Sequence, residues 1–388
     1  MSSALPSPSN EVFWLALSLT PGVGKTSVRR LLEHFGSVEN IFRASLTELE
    51  ASGLRAVSAQ AIAQGQSLQQ AQEEMLRAAS CGAQIITPGS PEYSEQLRQI
   101  YDPPVVLYVR GDPSILVQPG IAVVGTRHPT PYGLGMAERL SCDLAARGLI
   151  IISGLARGVD TAAHRGAINA RAKTIAVLGT GVDVMYPREN ARIADQLLDL
   201  GGALVSEFPI GSFAAPQNFP IRNRIISGLA FGVLVVEAGE YSGTRITARC
   251  ALEQNRELFA VPGNVTNKLS WGPNTLIKQG AKLTATWEDV WEELPTGIKM
   301  ALAPPASESE AASTASLFKD ENARDEKLSP AERKLLGLIR ADESTQIDTL
   351  IEQLEGKLSS SEIFAALFEL ELAGKIRQLP GKNYVKIF

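Results

Sequence analysis

The chain has 388 residues, which is enough for two or three domains that each bury a core of their own. Hydrophobic residues make up 44% of the chain and charged residues 20%, as in an ordinary globular protein, and no apolar run reaches the roughly 18–20 residues of a membrane helix. The net charge of −5 is slightly unfavourable for binding to nucleic acid. Residues 301–327, however, hold six acids and three bases and so contribute −3 of this charge. The rest of the chain can therefore still present a basic face.

The amino terminus and the cysteines bear on location. The opening MSSALPSPSN lacks the basic and apolar regions of a signal peptide. Cys81, Cys142 and Cys250 are odd in number, far apart and without C-x-x-C spacing, as expected of reduced packing residues. We therefore expect a cytoplasmic protein with no membrane partner.

Residues 1–75 form the first predicted domain, which is helical because its apolar residues show no strand alternation. Its stretch TPGVGKTS resembles a nucleotide phosphate loop, but Leu19 stands where that loop needs its first glycine. We interpret LTPGVGKTSVRRLLEHFGSVENIF as a helix-hairpin-helix element, whose turn presents backbone N–H groups to one DNA phosphate while Lys25, Arg29 and Arg30 add charge. The alternative is a SAM-like helical adaptor that only packs.

Residues 76–300 form the second predicted domain and carry six short apolar, β-branched runs: IAVVG (121–125), LIIISG (149–154), TIAVLG (174–179), GALVSE (202–207), GVLVVEA (232–238) and ELFAVPG (257–263). Amphipathic stretches separate the runs. Continuous apolar strands that alternate with helices predict a parallel sheet buried on both faces, the doubly wound, Rossmann-like α/β class. Ligands of such folds bind at the carboxyl edge of the sheet.

Several loops at that predicted edge combine glycines and small hydroxyl residues with arginines. Backbone N–H groups at such turns attract phosphate, and an arginine fork binds phosphate through two hydrogen bonds. No loop matches the dinucleotide fingerprint G-x-G-x-x-G, so we expect neither NAD nor FAD. The candidate phosphate ligands are Gly125, Arg127, Ser153, Gly154, Arg157, Arg188, Ser242, Gly243 and Thr244.

The stretch QNFPIRNRIISG adds an aromatic residue to these cations. Arg222 and Arg224 flank Asn223, three residues after Phe219. Arginines beside an aromatic ring suit a single-strand binder, because charge follows the backbone while bases stack. In the alternative interpretation, Phe219 is a core residue and the arginines cap a helix; the residues alone do not decide between the two.

Residues 301–327 are rich in Ala, Ser, Pro and Glu without apolar periodicity, and we predict a disordered linker there. Residues 328–388 predict three helices and a hairpin around Pro380 and Gly381, which is a winged-helix pattern. The third predicted helix has few Lys and Arg residues, so packing or dimerisation is as good an interpretation as DNA contact.

The motifs of common enzymes are absent from the sequence. It has no G-x-S-x-G elbow, no H-E-x-x-H and no Cys/His cluster with metal spacing, and its three histidines, His34, His128 and His164, lie in different segments. We therefore predict a protein that is not an enzyme and that needs neither a cofactor nor a metal.

Taken together, these motifs resemble the DNA-processing protein A family (DprA, also called Smf). The resemblance covers nearly all of 90–285 and rests on VVGTR, SGLARGVDTAAH, AVLGTGVDVMYPREN, SEFPIGS, FPIRNRIISGLA, VVEAGEYSGTRITA, FAVPGNVTN and GPNTLIKQGA. The helical first domain and the winged-helix unit match the three-domain members of that family.

The resemblance implies a function and roles for particular residues. Such proteins are dimers that bind single-stranded DNA cooperatively, protect it, displace single-strand-binding protein and load RecA during natural transformation. By similarity, Arg127 and Arg188 would contact phosphates, and Phe219 would contact a base with Arg222 and Arg224 nearby. Dimerisation would involve the region of Leu276 and Ile277.

A second function class stays open at this point. Phosphoribohydrolases that activate cytokinins share this kind of sheet, and their P-G-G-x-G-T-x-x-E loop has a partial counterpart in EYSGTRITA, which lacks the paired glycines and the glutamate. The two additional domains favour a nucleic-acid role over this nucleotide-binding enzyme.

Overall fold

The computed structural model describes residues 10–302, 328–340, 344–354 and 358–386. Most of the predicted linker therefore lies outside the described residues. Within the described ranges no helix is both long and apolar enough to cross a bilayer.

The amino-terminal part is helical, as the sequence predicts. Ser37 and Ser45 cap two of its helices through hydrogen bonds to backbone N–H groups, and Gly36 ends another in the left-handed conformation. Its helices are α1 (Asn10–Leu19), α2 (Lys25–Phe35), α3 (Val38–Arg43), α4 (Leu46–Ala51), α5 (Ala56–Ala63) and α6 (Gln66–Ser80).

A nine-stranded sheet forms the centre of the molecule, and each of the six predicted runs coincides with one of its strands, although β3 begins one residue before its run. The strands are β1 (Ala83–Ile86), β2 (Leu107–Gly111), β3 (Gly120–Val124), β4 (Ile150–Ser153), β5 (Thr174–Val177), β6 (Ala203–Ser206), β7 (Gly232–Val235), β8 (Glu257–Ala260) and β9 (Lys282–Leu283). Their spatial order is β1-β2-β6-β5-β4-β3-β7-β8-β9; β2 runs antiparallel to both of its neighbours, and β3 to β9 are parallel.

Helices cover both faces of the sheet, which explains the continuous apolar runs. Alternate residues of one strand point to opposite faces: Ile150 and Ile152 pack in one core cluster and Ile151 in another. The helices are α7 (Glu95–Arg98), α8 (Pro131–Ala145), α9 (Val159–Asn169), α10 (Ala191–Asp199), α11 (Asn218–Leu229), α12 (Thr244–Glu253), α13 (Trp271–Lys278), α14 (Trp287–Glu293) and α15 (Thr296–Leu302), with 3-10 turns at Pro113–Val117, Arg188–Asn190 and Lys268–Ser270.

The order in which strands are added to the sheet changes direction between β3 and β7, although the two strands are parallel. From β3 the chain adds β4, β5 and β6 on one side, and then it crosses back to place β7 on the other side of β3. The loops that leave β3 and β7 therefore diverge and open a crevice at the carboxyl edge of the sheet. Open α/β sheets bind ligands at such a switch point.

The amino-terminal helices share a core with the sheet. Leu15 of α1 and Ala78 of α6 pack with Ile85 of β1 and Tyr108 of β2. Glu74 of α6 accepts a hydrogen bond of 2.7 Å from the backbone N–H of Ile210, in the loop after β6. The helical unit is thus anchored to the sheet by apolar packing and by buried polar contacts.

The carboxyl-terminal unit has the predicted winged-helix elements: α16 (Pro330–Leu338), β10 (Thr345–Gln346), α17 (Ile347–Leu354), α18 (Ser360–Leu372), β11 (Ile376–Leu379) and β12 (Asn383–Lys386). Ser329 with Glu332, and Ser359 with Glu362, form the predicted capping boxes at the start of α16 and α18. Leu335, Leu350 and Leu367 lie in the core of this unit.

Candidate nucleic-acid interface

A cleft of about 710 Å³ lies at the switch point and gathers most of the predicted site. A smaller cavity that includes Gly154 and Arg157 adjoins it and shares five lining residues with it, Arg127, Ala156, Tyr186, Phe219 and Arg222. The predicted residues that line the cleft itself are Gly125, Arg127, Phe219, Arg222, Asn223, Ser242, Gly243 and Thr244.

The loop after β3 is held in place by close backbone packing. A Cβ on Gly125 would lie 2.5 Å from the side chain of Val159, so only glycine fits there without a shift. The N–H of Thr126 donates to the carbonyl of Glu237 at 2.7 Å, and its own carbonyl accepts from the N–H of Val159 at 3.2 Å. Arg127 therefore projects from a backbone fixed to both β7 and α9.

Glu237, which follows β7, also holds the loop after β3 in place. Its carboxylate accepts a hydrogen bond of 2.8 Å from the Thr130 N–H and one of 2.6 Å from the Thr130 hydroxyl. Burial raises the pKa of the Glu237 carboxyl above its ordinary value, while the Thr130 hydrogen bonds act against this rise. The buried side chain thus joins the two diverging loops of the switch point.

Arg127 and Phe219 lie together at the mouth of the cleft. The guanidinium carbon of Arg127 is 5.5 Å from the centroid of the Phe219 ring, and the ring of Tyr186 lies 5.6 Å from the same ring at an interplanar angle of 40°. Phe219 is only half-buried, so an aromatic surface with a neighbouring cation remains open to a ligand. This arrangement agrees with the stacking interpretation better than with the core interpretation.

Arg222 forms a buried positive charge under the cleft. Its Nη1 donates to the carbonyl of Val177 at 2.6 Å, and its Nε has no hydrogen-bond partner among the residues that the structure describes. Burial lowers the pKa of Arg222 to about 10, so the side chain stays charged at neutral pH. Arg127 also lowers the pKa of Arg222, because two like charges face the same space. An anion bound between them would relieve that repulsion.

Asp160 lies at the bottom of the same cleft. It accepts backbone hydrogen bonds from Gly154 at 3.1 Å and from Ala156 at 3.4 Å, and so fixes the loop after β4. Burial raises the pKa of the Asp160 carboxyl, and the charge of Arg222 opposes this rise.

The structure places Arg224 away from the cleft. Its guanidinium is buried in ion pairs with Glu207, and with Asp102 at 3.0 Å, on the opposite side of α11. Arg224 therefore does not lie with Phe219 in the cleft, contrary to the expectation from the sequence. Residues two apart on a helix point in directions about 200° apart, so Arg222 and Arg224 cannot face the same ligand.

Three more predicted residues do not line the central cleft, and two of them form hydrogen bonds with other residues of the protein. Ser153 is buried and donates to the carbonyl of Val123 at 2.7 Å, so its hydroxyl braces two strands. Arg188 is exposed at the first residue of a 3-10 turn and does not line the cleft. Arg157 is exposed and pairs with Glu189 through a hydrogen bond of 2.9 Å.

The loop after β7 forms the other wall of the cleft. The hydroxyl of Ser242 accepts from the N–H of Thr244 at 3.2 Å and donates to the Thr244 hydroxyl at 3.0 Å. These bonds shape the predicted Ser242-Gly243-Thr244 turn immediately before α12, whose first N–H groups lie at its amino end.

The remaining sequence predictions concern residues away from the cleft. Leu276 and Ile277 are half-buried on α13, and Leu276 packs against the core of the sheet. In the amino-terminal hairpin, Arg30 donates to the carbonyl of Gly53 at 3.0 Å, and Arg29 lies 5.5 Å from the ring of Tyr101. Both arginines thus have contacts within the chain.

Sequence reasoning missed four residues that build the site: Thr130, Asp160, Tyr186 and Glu237. Two of them left a signal. An acid directly after an apolar strand, as Glu237 follows GVLVV, and an acid in the first turn of a helix, as Asp160 is in α9, need hydrogen-bond donors when buried. Nothing local to Tyr186 indicates that its ring meets Phe219.

Comparison with known proteins identifies the family of this chain. The model of the DNA recombination-mediator protein A family matches residues 84–295, and that of the DprA winged helix domain matches residues 319–382. Protein Smf from Escherichia coli (strain K12) is 44% identical over 304 residues, which are 78% of this chain and 77% of that protein.

Two further relatives cover different parts of the chain. Protein Smf from Synechocystis sp. is 33% identical and covers 97% of this chain and 98% of its own length. The X-ray structure of DNA processing protein A (DprA) from Streptococcus pneumoniae superposes with a TM-score of 0.64 at 34% identity, over 74% of this chain and 99% of that one. The chain belongs to the DNA recombination-mediator protein A family, to which the Smf and DprA proteins belong.

Proposed function

We propose that the protein binds single-stranded DNA in the cleft at the switch point, with a phosphate near Arg127 and Arg222 and a base on the ring of Phe219. The observation that carries this proposal is an exposed Arg127 beside the half-buried ring of Phe219, next to a buried Arg222 whose Nε has no hydrogen-bond partner among the described residues. Positive charge beside an aromatic ring is the combination that single-strand binders use, and it does not depend on base sequence.

The cleft also favours single strands over duplex. In a duplex the bases are stacked on one another inside the helix, so a ring such as Phe219 reaches a base face only in a single strand. We therefore expect the protein to discriminate between the two forms through stacking, while the arginines supply affinity that falls with salt.

In the cell, we propose the role of a non-enzymatic recombination mediator. In this role a homodimer covers incoming single-stranded DNA, displaces single-strand-binding protein and loads RecA during natural transformation. Family membership supports this role, and Leu276 and Ile277 on α13 are our candidates for the dimer contact. The Ile277→Arg substitution would then halve the mass measured by light scattering, whereas an unchanged mass would move the contact elsewhere.

Fluorescence anisotropy with labelled oligo-dT and with a duplex of equal length tests the binding proposal. Wild type should bind the single strand more tightly, with affinity that falls as salt rises. Arg127→Ala should weaken binding about tenfold and reduce the salt slope by roughly 0.7, the value for one phosphate contact on a single strand.

Arg165→Ala is the matched control, because Arg165 is exposed on α9 and does not line the cleft. Equal, weak binding to both forms of DNA, unchanged by Arg127→Ala, would contradict the proposal. A nucleotide-hydrolysis assay would then test the phosphoribohydrolase alternative.

A further inference from the structure

Exposed aromatic rings follow four successive strands of the parallel sheet. Tyr186 follows β5, Phe213 follows β6, Tyr241 follows β7 and Trp271 follows β8. Their exposed fractions are 41%, 75%, 91% and 40%. Isolated apolar residues on a surface are common, but one exposed aromatic ring on each of four loops at one edge points to a shared ligand.

The strand order arranges these rings in a row. Along the edge the order is β6-β5-β4-β3-β7-β8, so Phe213 and Trp271 belong to the two ends, and the cleft with Phe219 lies between them. Neighbouring strands are about 4.8 Å apart, so the five spacings from β6 to β8 amount to about 24 Å. That length suits several nucleotides of an extended single strand.

The loop that carries Phe213 is fixed to its neighbours. The N–H of Gly181 donates to the carbonyl of Ser212 at 2.9 Å, and the N–H of Gly211 donates to the Asp183 carboxylate at 2.9 Å. Phe213 is thus an exposed ring that directly follows a backbone segment fixed to the loop after β5. A ring on a fixed backbone loses little entropy when a base stacks on it.

Trp271 is held in a similar way at the other end. The N–H of Gly272 donates to the carbonyl of Ala238 at 2.9 Å, which ties the start of α13 to the loop after β7. The guanidinium carbon of Arg245 lies 5.5 Å from the centroid of the Trp271 ring. This is the same pairing of arginine and ring, at the same distance, as Arg127 with Phe219 in the cleft.

We infer that an extended single strand crosses the carboxyl edge of the sheet transversely, with bases stacked on Phe213 and Trp271 at its two ends and with Arg245 beside the backbone near Trp271. The inference rests on the proposed function and adds to it the direction and extent of the strand. The cleft binds the central nucleotides, and the two outer rings extend the contact on either side.

The length dependence of binding tests this path. Anisotropy with dT4 and dT12 is measured for wild type, Phe213→Ala and Trp271→Ala. Leu252→Ala is the control because Leu252 is 57% exposed near the end of α12, a helix that starts at this edge of the sheet and runs away from it. Each outer substitution should weaken dT12 binding about tenfold and dT4 binding less than twofold, whereas Leu252→Ala should bind both like wild type.

Tryptophan emission, measured at a saturating concentration of dT12, gives a second readout that does not depend on the binding affinity. Stacking of a base on Trp271 should quench the emission of wild type when dT12 is added. Trp271→Phe keeps a ring for stacking, so it should bind dT12 like wild type and lose most of the quenching. Thermal unfolding of each variant shows whether the variant is folded.

The outcomes separate the path from the proposed function. If Phe213→Ala and Trp271→Ala bind dT12 like wild type while Arg127→Ala and Phe219→Ala bind it weakly, the path is wrong and the cleft stands. If all four variants bind dT12 like wild type, both fail. Quenching that persists in Trp271→Phe would also overturn the assignment of Trp271.

Discussion

Gly154 and Arg222 are in such close contact that a Cβ on Gly154 would lie 1.9 Å from Nη1 of Arg222. The loop after β4 and the helix α11 therefore meet only because position 154 has no side chain. This contact holds the Arg222 guanidinium against the carbonyl of Val177, under the cleft.

Gly154→Ala should displace Arg222 and weaken oligo-dT binding at least tenfold, and the strained packing should cost about 1–3 kcal/mol of unfolding free energy. Gly135→Ala is the control, since a Cβ on that exposed glycine of α8 meets nothing within 4 Å. That helix substitution should stabilise by roughly 0.5–1 kcal/mol without affecting binding. Anisotropy measures oligo-dT binding, and urea unfolding measures the stability of both variants. Normal binding by Gly154→Ala would show that Arg222 is not needed at that position.

Arg224→Ala tests whether this arginine serves folding or DNA. Its removal leaves the Glu207 carboxylate, whose side chain is 14% exposed, without the Arg224 guanidinium, so we expect a loss of about 3–5 kcal/mol in the free energy of unfolding. The double variant Arg224→Ala/Glu207→Gln should lose less, because the less exposed of the two carboxylates that pair with Arg224 is then neutral and only Asp102, which is 39% exposed, keeps its charge. Urea unfolding measures both variants. If the Arg224→Ala protein is as stable as wild type but binds oligo-dT weakly, Arg224 contacts DNA instead.

His164 should make the protein sensitive to acid. It is fully buried, and since the Thr174 hydroxyl donates to the carbonyl of Ile151, Nδ1 of His164 donates to that hydroxyl and Nε2 carries no proton. Burial lowers the pKa of His164 to about 3 from the ordinary 6.5. The unfolded chain therefore binds a proton more readily, and stability falls as the pH drops from 6.5 toward 3.

At pH 4.5 this loss should amount to roughly 2–3 kcal/mol relative to pH 7. His164→Asn keeps a donor to Thr174 but cannot take up a proton, so its stability should change less between these two pH values. Urea unfolding at pH 7 and pH 4.5 compares the two proteins. A pH dependence identical to that of wild type would show that His164 is not its source.

The hairpin between α1 and α2 contains two glycines in different situations. Gly22 has a φ of +76°, and a Cβ there would lie 3.0 Å from the Ser58 hydroxyl, whereas Gly24 has a φ of −95° and open space around it. Gly22→Ala should therefore cost roughly 1–2 kcal/mol of stability, and Gly24→Ala less than about 0.5 kcal/mol. Equal losses in urea unfolding would contradict this reading of the turn.

The class of the fold and the edge that carries the site could be predicted from the sequence because both follow from short-range patterns. Apolar, β-branched runs such as LIII mark buried parallel strands wherever they occur. Since parallel strands end at one edge, Arg127 and Phe219 could be placed near each other although 92 positions separate them in the chain.

The roles of individual arginines could not be predicted in the same way. Arg222 and Arg224 look equivalent in the string IRNR, but one faces the cleft and the other meets Glu207 and Asp102. The partners of Arg224 come from the loop after β6 and from the segment before β2, which only the tertiary fold brings together. A residue's partner at such sequence separation leaves no local signal.

The core that α1 and α6 share with β1 has a consequence for fragments of this protein. β1 is an edge strand, and the helices that cover it lie within or across the predicted boundary at residue 75. A fragment that begins at residue 76 would lose α1 and most of α6, and so would expose the apolar side chains of Ala83 and Ile85 on an edge strand. Such edges recruit strands from other molecules, so this fragment should aggregate where the longer chain does not.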